Sequence, residues 1–279
     1  MNLEALTGSP ASATTPLGGT ARRVELADGR TVVAKRHDHA TAVRAEVAGL
    51  RWLAEPDVVP LPEVHGYDDE WLVMDLVEPG TPTQAAAEGL GRGLAALHAA
   101  GADAFGAAPP DGPADAWIGS APMRNETGPA WPEWYAAHRI EPYLRTAVDQ
   151  GVLSGADVRA VESVCARLPS LAGPAEPPAR LHGDLWRGNV AWAADGRVWL
   201  IDPAAHGGHR ETDLAMLHLF GCAQLDRIVA AYDEAAPLAA GWRARIGLHQ
   251  LFPLLVHTVL FGGGYASQAG AAARSALRG

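Results

Sequence analysis

The chain has 279 residues, 48% hydrophobic and 19% charged, which is enough for one large domain or two small ones around a sizeable core. A formal charge of −10 argues against nucleic acid or an anionic membrane surface as the main partner. Residues 1–19 lack the basic and apolar regions of a secretory signal, and the apolar run 251–261, broken by Pro253 and His257, is too short to span a bilayer. Cys165 and Cys222 lie far apart in helical patterns and read as small buried hydrophobes of a reducing, cytoplasmic setting.

In chain order, the pattern first predicts two strands, Arg22–Leu26 and Thr31–Lys35, around an Asp28-Gly29 turn. Gly18 and Gly19 precede them, either as a phosphate-covering loop or as a plain flexible connector. Lys35 is the only lysine among 22 basic residues. A chain that uses arginine everywhere else keeps a compact ammonium here, and V-A-K at a strand end matches the kinase strand whose lysine holds nucleotide phosphates. Residues 40–54 carry Val43, Val47, Leu50 and Leu53 at helical spacing up to a stop at Pro56. Glu46 on this helix is either the ion-pair partner that orients Lys35 or a solvated glutamate.

Strands follow at 63–67 and 71–77, and Glu78-Pro79-Gly80 then marks a lobe boundary. Asp75, Leu76 and Val77 are expected to offer backbone groups to an adenine ring. Thr81-Pro82 predicts the start of a helix running to Gly101. Residues 102–130, rich in Pro, Gly and Asp, read as a long binding loop whose aromatics either stack on a sugar or pack. Helices are predicted over 131–150, 154–168, 213–220, 224–234, 242–261 and 267–277.

Residues 181–213 carry the chemistry. Asp184 and Asn189 stand five positions apart in H-G-D-L-x-x-x-N, the spacing of the kinase catalytic loop, where the Asp takes a hydroxyl proton and the Asn holds a metal. The alternating runs 190–192 and 198–201 around Asp195-Gly196 predict a hairpin that returns Asp202 to the side of Asn189. Two oxygen ligands at one mouth suit Mg²⁺, with phosphates and water completing its shell. Asp213 begins an apolar helix and reads as an N-cap or as a brace for the loop backbone.

With HGDLWRGNVAW (182–192), LIDPAAHGGHRETDLAM (200–216) and FGGGY (261–265), the sequence resembles the fructosamine kinase family, the ketosamine 3-kinases. That family lies within the aminoglycoside-phosphotransferase and protein-kinase-like superfamily; WIGSAPMRN (117–125) and RIEPYL (139–144) are weaker echoes. The resemblance implies an α+β, bilobal, protein-kinase-like fold. Residues 1–77 would form an N-lobe of antiparallel sheet plus helix, and 78–279 a mainly helical C-lobe. It further implies transfer of the ATP γ-phosphate, with Mg²⁺, to the 3-hydroxyl of fructosamine or ribulosamine adducts on small amines or glycated proteins, which leads to deglycation. Asp184 would be the base, Asn189 and Asp202 the metal ligands, and Lys35 with Glu46 the phosphate clamp. Trp186, His209, Arg210 and Glu211 would face the substrate, and the protein would act as a monomer. Alternatives are an aminoglycoside or other small-amine phosphotransferase of the same fold, and a nucleotide-binding scaffold; the latter would be expected to lack one of Lys35, Asp184, Asn189 or Asp202.

Overall fold

The computed structural model describes residues 2–279. Strand alternation in the first part of the chain builds a five-stranded antiparallel sheet in the order β1-β2-β3-β5-β4. A short helix α1 (Leu3–Thr7) leads into β1 (Ala11–Gly18), β2 (Ala21–Leu26) and β3 (Thr31–Arg36). Helix α2 (Ala40–Ala54), β4 (Val64–Tyr67) and β5 (Trp71–Asp75) complete this lobe. Successive strand residues face opposite sides, so both faces can be apolar. Val24, Leu26, Val32, Ala34 and Val73 pack with Leu3 on one face, while Val33, Leu72 and Met74 pack on Val43, Val47 and Leu50 of α2 on the other. Helix α1 and strand β1 were not expected from the sequence. Every residue of β1 is exposed, so it has no buried alternation to read, and Pro16 is tolerated there because β1 lies at the sheet edge.

The chain passes through residues 76–83 into α3 (Gln84–Ala99). The N-cap is Thr83, whose hydroxyl accepts from Ala86 N at 3.1 Å, two residues later than the Thr81-Pro82 signal suggested. The expected loop 102–130 contains a hairpin, β6 (Asp115–Ile118) and β7 (Ala121–Arg124). The single helix expected over 131–150 is broken into α4 (Trp131–Tyr135), a π-helical turn (Ala136–Ile140) and α5 (Glu141–Asp149). Pro142 has no N–H for the carbonyl of His138, and the Arg139 guanidinium bonds that carbonyl instead at 3.2 Å.

Helix α6 (Gly155–Leu171) and strand β8 (Ala179–Leu181) lead to a 3₁₀ turn at Arg187–Asn189 and the hairpin β9 (Val190–Trp192) and β10 (Val198–Leu200). Strand β11 (His206–Gly208) is followed by α7 (Glu211–Leu219), α8 (Leu225–Ala235), α9 (Trp242–Phe261) and α10 (Gly264–Ala276). Helices α3 and α8 approach so closely at Gly91 that a Cβ there would collide with the Ile228 carbonyl. Among the described residues α9 alone is long and apolar enough to cross a membrane, yet Leu251, Phe252, Leu254, Leu255 and Val256 place it in the core of this lobe.

A polar network fastens α7 to α9. Glu211 accepts from Arg245 Nε at 2.9 Å and Nη2 at 2.5 Å, with His249 Nε2 at 3.3 Å. His249 also meets the Thr212 hydroxyl at 3.0 Å, and the His209 ring lies 4.8 Å from that of His249. Burial pushes the Glu211 carboxyl up, but His249 and Arg245 outweigh it and hold the group at about 2. A carboxylate depressed in the folded state contributes stability above its unfolded pKa and loses it as pH falls through the folded one. The unfolding free-energy difference between wild type and Glu211→Gln is therefore expected to be largest near pH 7, on the order of a few kcal/mol. It should shrink as pH falls from about 4.5 toward 2, as urea unfolding at stepped pH would show; a difference independent of pH would refute this account.

Candidate active site

The catalytic loop is fixed at both ends before any functional side chain is placed. Strands β8 and β11 pair antiparallel with Leu181 opposite His206, which closes residues 182–205 into a loop. Asp213, fully buried inside the first turn of α7, accepts from His182 N at 2.8 Å and Gly183 N at 2.9 Å. Its Oδ2 also meets His98 Nε2 at 3.1 Å, and His98 Nδ1 meets the Tyr232 hydroxyl at 2.8 Å. Burial would raise the Asp213 carboxyl, but His98, His182 and the Gly183 amide outweigh it and hold the group below the ordinary range. Of the two sequence readings of Asp213, the geometry is that of a backbone brace, since the N-cap of α7 is Arg210.

His182 carries the brace onward. Its Nε2 lies 3.0 Å from Ile201 O and so holds the ring proton, while Nδ1 accepts from Asp184 N at 3.2 Å. The β9–β10 hairpin sets Leu200 opposite Val190, and Ile201 N continues the ladder to Asn189 O at 3.1 Å. Asp202 thereby arrives beside Asn189, with a left-handed backbone at φ 54°. Asn189 Nδ2 donates to Asp184 O at 2.8 Å, Asp184 Oδ2 at 3.0 Å and Asp202 O at 3.3 Å. The amide nitrogen is thus engaged, and Oδ1 is the atom left to a cation. With the Asp202 carboxylate it makes an all-oxygen donor set, which fits Mg²⁺.

Lys35 reaches this cluster from β3. Its ammonium lies 3.0 and 2.9 Å from the two oxygens of Glu46 and 3.0 Å from Asp202 Oδ1. Burial works against the charge on Lys35, yet the two carboxylates raise its pKa above the ordinary value. Glu46 is buried on α2, and Lys35 together with His37, whose Nε2 is 3.0 Å from Oε2, holds it at about 2 against the cost of burial. Asp184 is shifted the other way. Burial first, then Asp202 and Asp213, push its carboxyl up to about 7, despite the Asn189 amide and Lys35. An acid that is half protonated at neutral pH is suited to receiving a proton.

These groups share a cleft of about 400 Å³ between the lobes, lined by Lys35, Glu46, Asp184, Trp186, Asn189 and Asp202. The Trp186 ring lies across Gly188, where a Cβ would collide with it. Gly18 ends β1 and Gly19 begins the turn to β2, at φ 131° and 53°, and the following Thr20 lines the cleft. The side chain of Asp75 is held by Glu63 N at 3.0 Å and His65 at 2.9 Å, while Leu76 and Val77 are half-buried in the connection to α3.

Three expected substrate-side residues are elsewhere. His209 and Glu211 are buried in the α7–α9 network, and Arg210 turns away to Glu176 at 2.6 and 2.8 Å and to the carbonyls of Ala236 and Pro237. The family resemblance put them beside the substrate, but in the fold they are taken up by buried partners. The sequence reading missed the β6–β7 hairpin as a cleft wall. Trp117, Gly119 and Ser120 line the cleft. The Trp117 ring stacks on His39 at 4.2 Å, and its Nε1 donates to the Thr41 hydroxyl at 3.0 Å, joining the hairpin to the start of α2. The W-I-G-S run was the only available signal.

Comparison with known proteins agrees with this arrangement. The profile of the fructosamine kinase family matches residues 20–278. A Thermus thermophilus protein named a "probable ketoamine kinase" is 36% identical over 238 residues, covering 85% of this chain and 84% of its own. The chloroplastic protein-ribulosamine 3-kinase of Arabidopsis thaliana is 31% identical over 231 residues, covering 80% of this chain and 68% of its own. A solved structure of a candidate fructosamine-3-kinase from Thermobifida fusca is 50% identical, with a TM-score of 0.93 over 99% of this chain and 97% of its own. Phosphotransferases for other substrates, 12–18% identical with TM-scores of 0.60–0.63, share the fold alone.

Lys35 is a compact ammonium between two carboxylates, a place that a planar, bulkier guanidinium cannot take without moving one of them. Lys35→Arg is expected to lower nucleotide-dependent turnover by at least about tenfold, with Glu46→Gln milder, in steady-state assays beside a thermal melt. Wild-type turnover in the arginine variant would show that the single lysine is an accident of composition.

Proposed function

We infer the reaction of this chain from its family, for it belongs to the fructosamine kinases, and from the meeting of Lys35, Asp184, Asn189 and Asp202 in one cleft. It is an ATP-dependent phosphotransferase that acts on ketosamines. The observation that carries the reading is Asp184, a carboxyl pushed up to about 7 and held by Asn189 at the floor of the cleft.

The step we propose is transfer to the ketose 3-hydroxyl. The hydroxyl oxygen forms a bond to the γ-phosphorus, the bond from that phosphorus to the β,γ-bridging oxygen breaks, and ADP leaves. The hydroxyl proton passes to Asp184. Lys35, held in line by Glu46, neutralises phosphate oxygens, which are otherwise repelled by the carboxylates around them. Asn189 and Asp202 would hold Mg²⁺, which when bound supplies further charge neutralisation to the phosphates. Trp186 walls the acceptor side. The phosphorylated adduct is unstable and releases the amine, so the outcome is deglycation.

Adducts on protein lysines as well as on free amines belong to this proposal. So do a monomeric state and a cytoplasmic setting, where ATP is abundant and where two free cysteines, Cys165 and Cys222, would stay reduced.

Two outcomes test the reading. Asp184→Asn is expected to lower kcat by at least about a hundredfold, while ATP affinity, measured by calorimetry, stays within a few-fold, because the carboxylate faces the acceptor. On a panel with ATP and Mg²⁺, ribulosamine and fructosamine adducts should be phosphorylated and kanamycin-like aminoglycosides or choline left nearly untouched. Efficient phosphorylation of aminoglycosides beside inert ketosamines would reverse the assignment.

A further inference from the structure

The FGGGY run has no part in the chemistry above, yet its rings reach the catalytic loop. Helix α9 ends at Phe261 and α10 begins at Gly264, with Gly262 and Gly263 between them at φ 61° and 56°. The chain reverses there and sets Phe261 and Tyr265 side by side, centroids 6.0 Å apart. Both pack on His257, at 5.7 and 5.0 Å. His257 and Tyr265 in turn meet Phe220 at 5.2 and 6.3 Å, and Phe220 stands edge-on to Trp186 at 6.0 Å. Trp186 lines the cleft that contains Asp184. A continuous strip of rings therefore leads from the reacting end of the cleft to the surface, where Phe261 is 66% exposed.

The strip carries no fixed charge. His257 Nδ1 lies 2.7 Å from Pro253 O and donates there, a contact that favours the charged ring, but burial is the larger effect and lowers the pKa below the ordinary value. Phe220, His257 and Tyr265 are half-buried, so each presents only part of its ring beside the exposed Phe261, and an apolar edge of this kind next to a cleft is a candidate binding feature. What it can bind follows from the acceptor. In a ketosamine the nitrogen is three bonds from the carbon bearing the 3-hydroxyl, so with that hydroxyl at Asp184 the amine and everything attached to it must leave the cleft. The nitrogen is a protonated secondary amine, and a cation is attracted to aromatic faces. The methylenes that follow in a lysine side chain favour apolar contact. A chain of charge −10 adds a general attraction for such a ligand.

We propose that the strip formed by Phe220, His257, Phe261 and Tyr265, continuous with Trp186, is the subsite for the alkylammonium arm of the acceptor, and that its occupant is the lysine side chain of a glycated peptide. This rests on the ketosamine reading and deepens it: the strip selects peptide-borne adducts over adducts of the smallest amines. Phe261, at the outer end, touches only the arm.

The test compares two fructosamine adducts, one on methylamine and one on the lysine of a short uncharged peptide, in wild type, Phe261→Ala and Phe261→Trp. A thermal melt of each variant checks the fold, which an exposed side chain should hardly affect. In Phe261→Ala the ratio of kcat/KM for the peptide adduct to that for the methylamine adduct should fall about three- to tenfold, the loss of apolar contact with one or two lysine methylenes. The fall should come from the peptide KM, with kcat at saturation within about twofold, and Phe261→Trp should restore the ratio. If both adducts are turned over and the ratio in Phe261→Ala equals that of wild type, this proposal is overturned and the ketosamine reading stands. A wild-type enzyme that phosphorylates neither adduct, yet transfers phosphate to another alcohol, overturns both.

Discussion

Lys35 is a buried cation set between carboxylates, and the geometry of the cleft depends on it. Glu46, Asp184 and Asp202 line one space, and like charges this close repel strongly once water is partly excluded. One ammonium bonds Glu46 from α2 and Asp202 from the loop after β10, so it joins the sheet, the helix behind it and the other lobe. Asp184 makes no direct pair with it, and burial first, then Asp202 and Asp213, push its carboxyl up. On the outer side the lobes are tied a second time, by the Trp117–His39 stack and the Trp117–Thr41 bond, so the cleft is bounded at two points.

The other half of the site depends on a chain of buried partners. Tyr232 of α8 meets His98 of α3, His98 meets Asp213 of α7, and Asp213 takes two backbone amides of the catalytic loop. His182 then links Ile201 to Asp184 through its two ring nitrogens. Three helices therefore fix where the carboxyl of Asp184 stands, although none of them touches an acceptor. A buried charge is tolerated when its hydrogen-bonding capacity is filled, and the oxygens of Asp213 have three donors between them.

Much of this was legible in the sequence because the chemistry is local. Asp184, Asn189 and Asp202 lie within one loop and one hairpin, so spacing and strand alternation were enough to bring them together. The lone lysine among many arginines pointed to Lys35, and of the two readings left open for Glu46 the fold shows the ion pair. The misses have physical causes. Strand β1 is exposed along its whole length and left no pattern to read. The β6–β7 hairpin has four-residue strands in a stretch rich in Pro and Gly, so the wall formed by Trp117 was read as loop. His209, Arg210 and Glu211 were placed beside the substrate by the family resemblance. Their partners Glu176, Arg245 and His249 are tens of residues away in sequence, and only the fold shows that they are already paired.

The hairpin that the sequence hid raises the question of what holds it, since four-residue strands have little stability of their own. The answer lies in Arg139, which is 1% exposed. Its guanidinium bonds the Arg124 carbonyl at 2.9 Å, the His138 carbonyl at 3.2 Å and Asn125 Oδ1 at 2.8 Å, with the rings of Trp134 and Phe252 at 4.7 and 5.6 Å. Burial lowers its pKa to about 10, which still leaves it charged at neutral pH, and every hydrogen-bond partner it has is a neutral oxygen. This is the counterpart of Asp213. There a buried anion gathers the amide protons of the catalytic loop; here a buried cation gathers the carbonyls at the base of the hairpin. In each case a charge that no ligand reaches sets the backbone of a segment that the cleft needs. Both segments line the cleft, with Asp184 and Trp186 from one and Trp117 and Ser120 from the other. The cleft is thus positioned from behind by two interior charges of opposite sign.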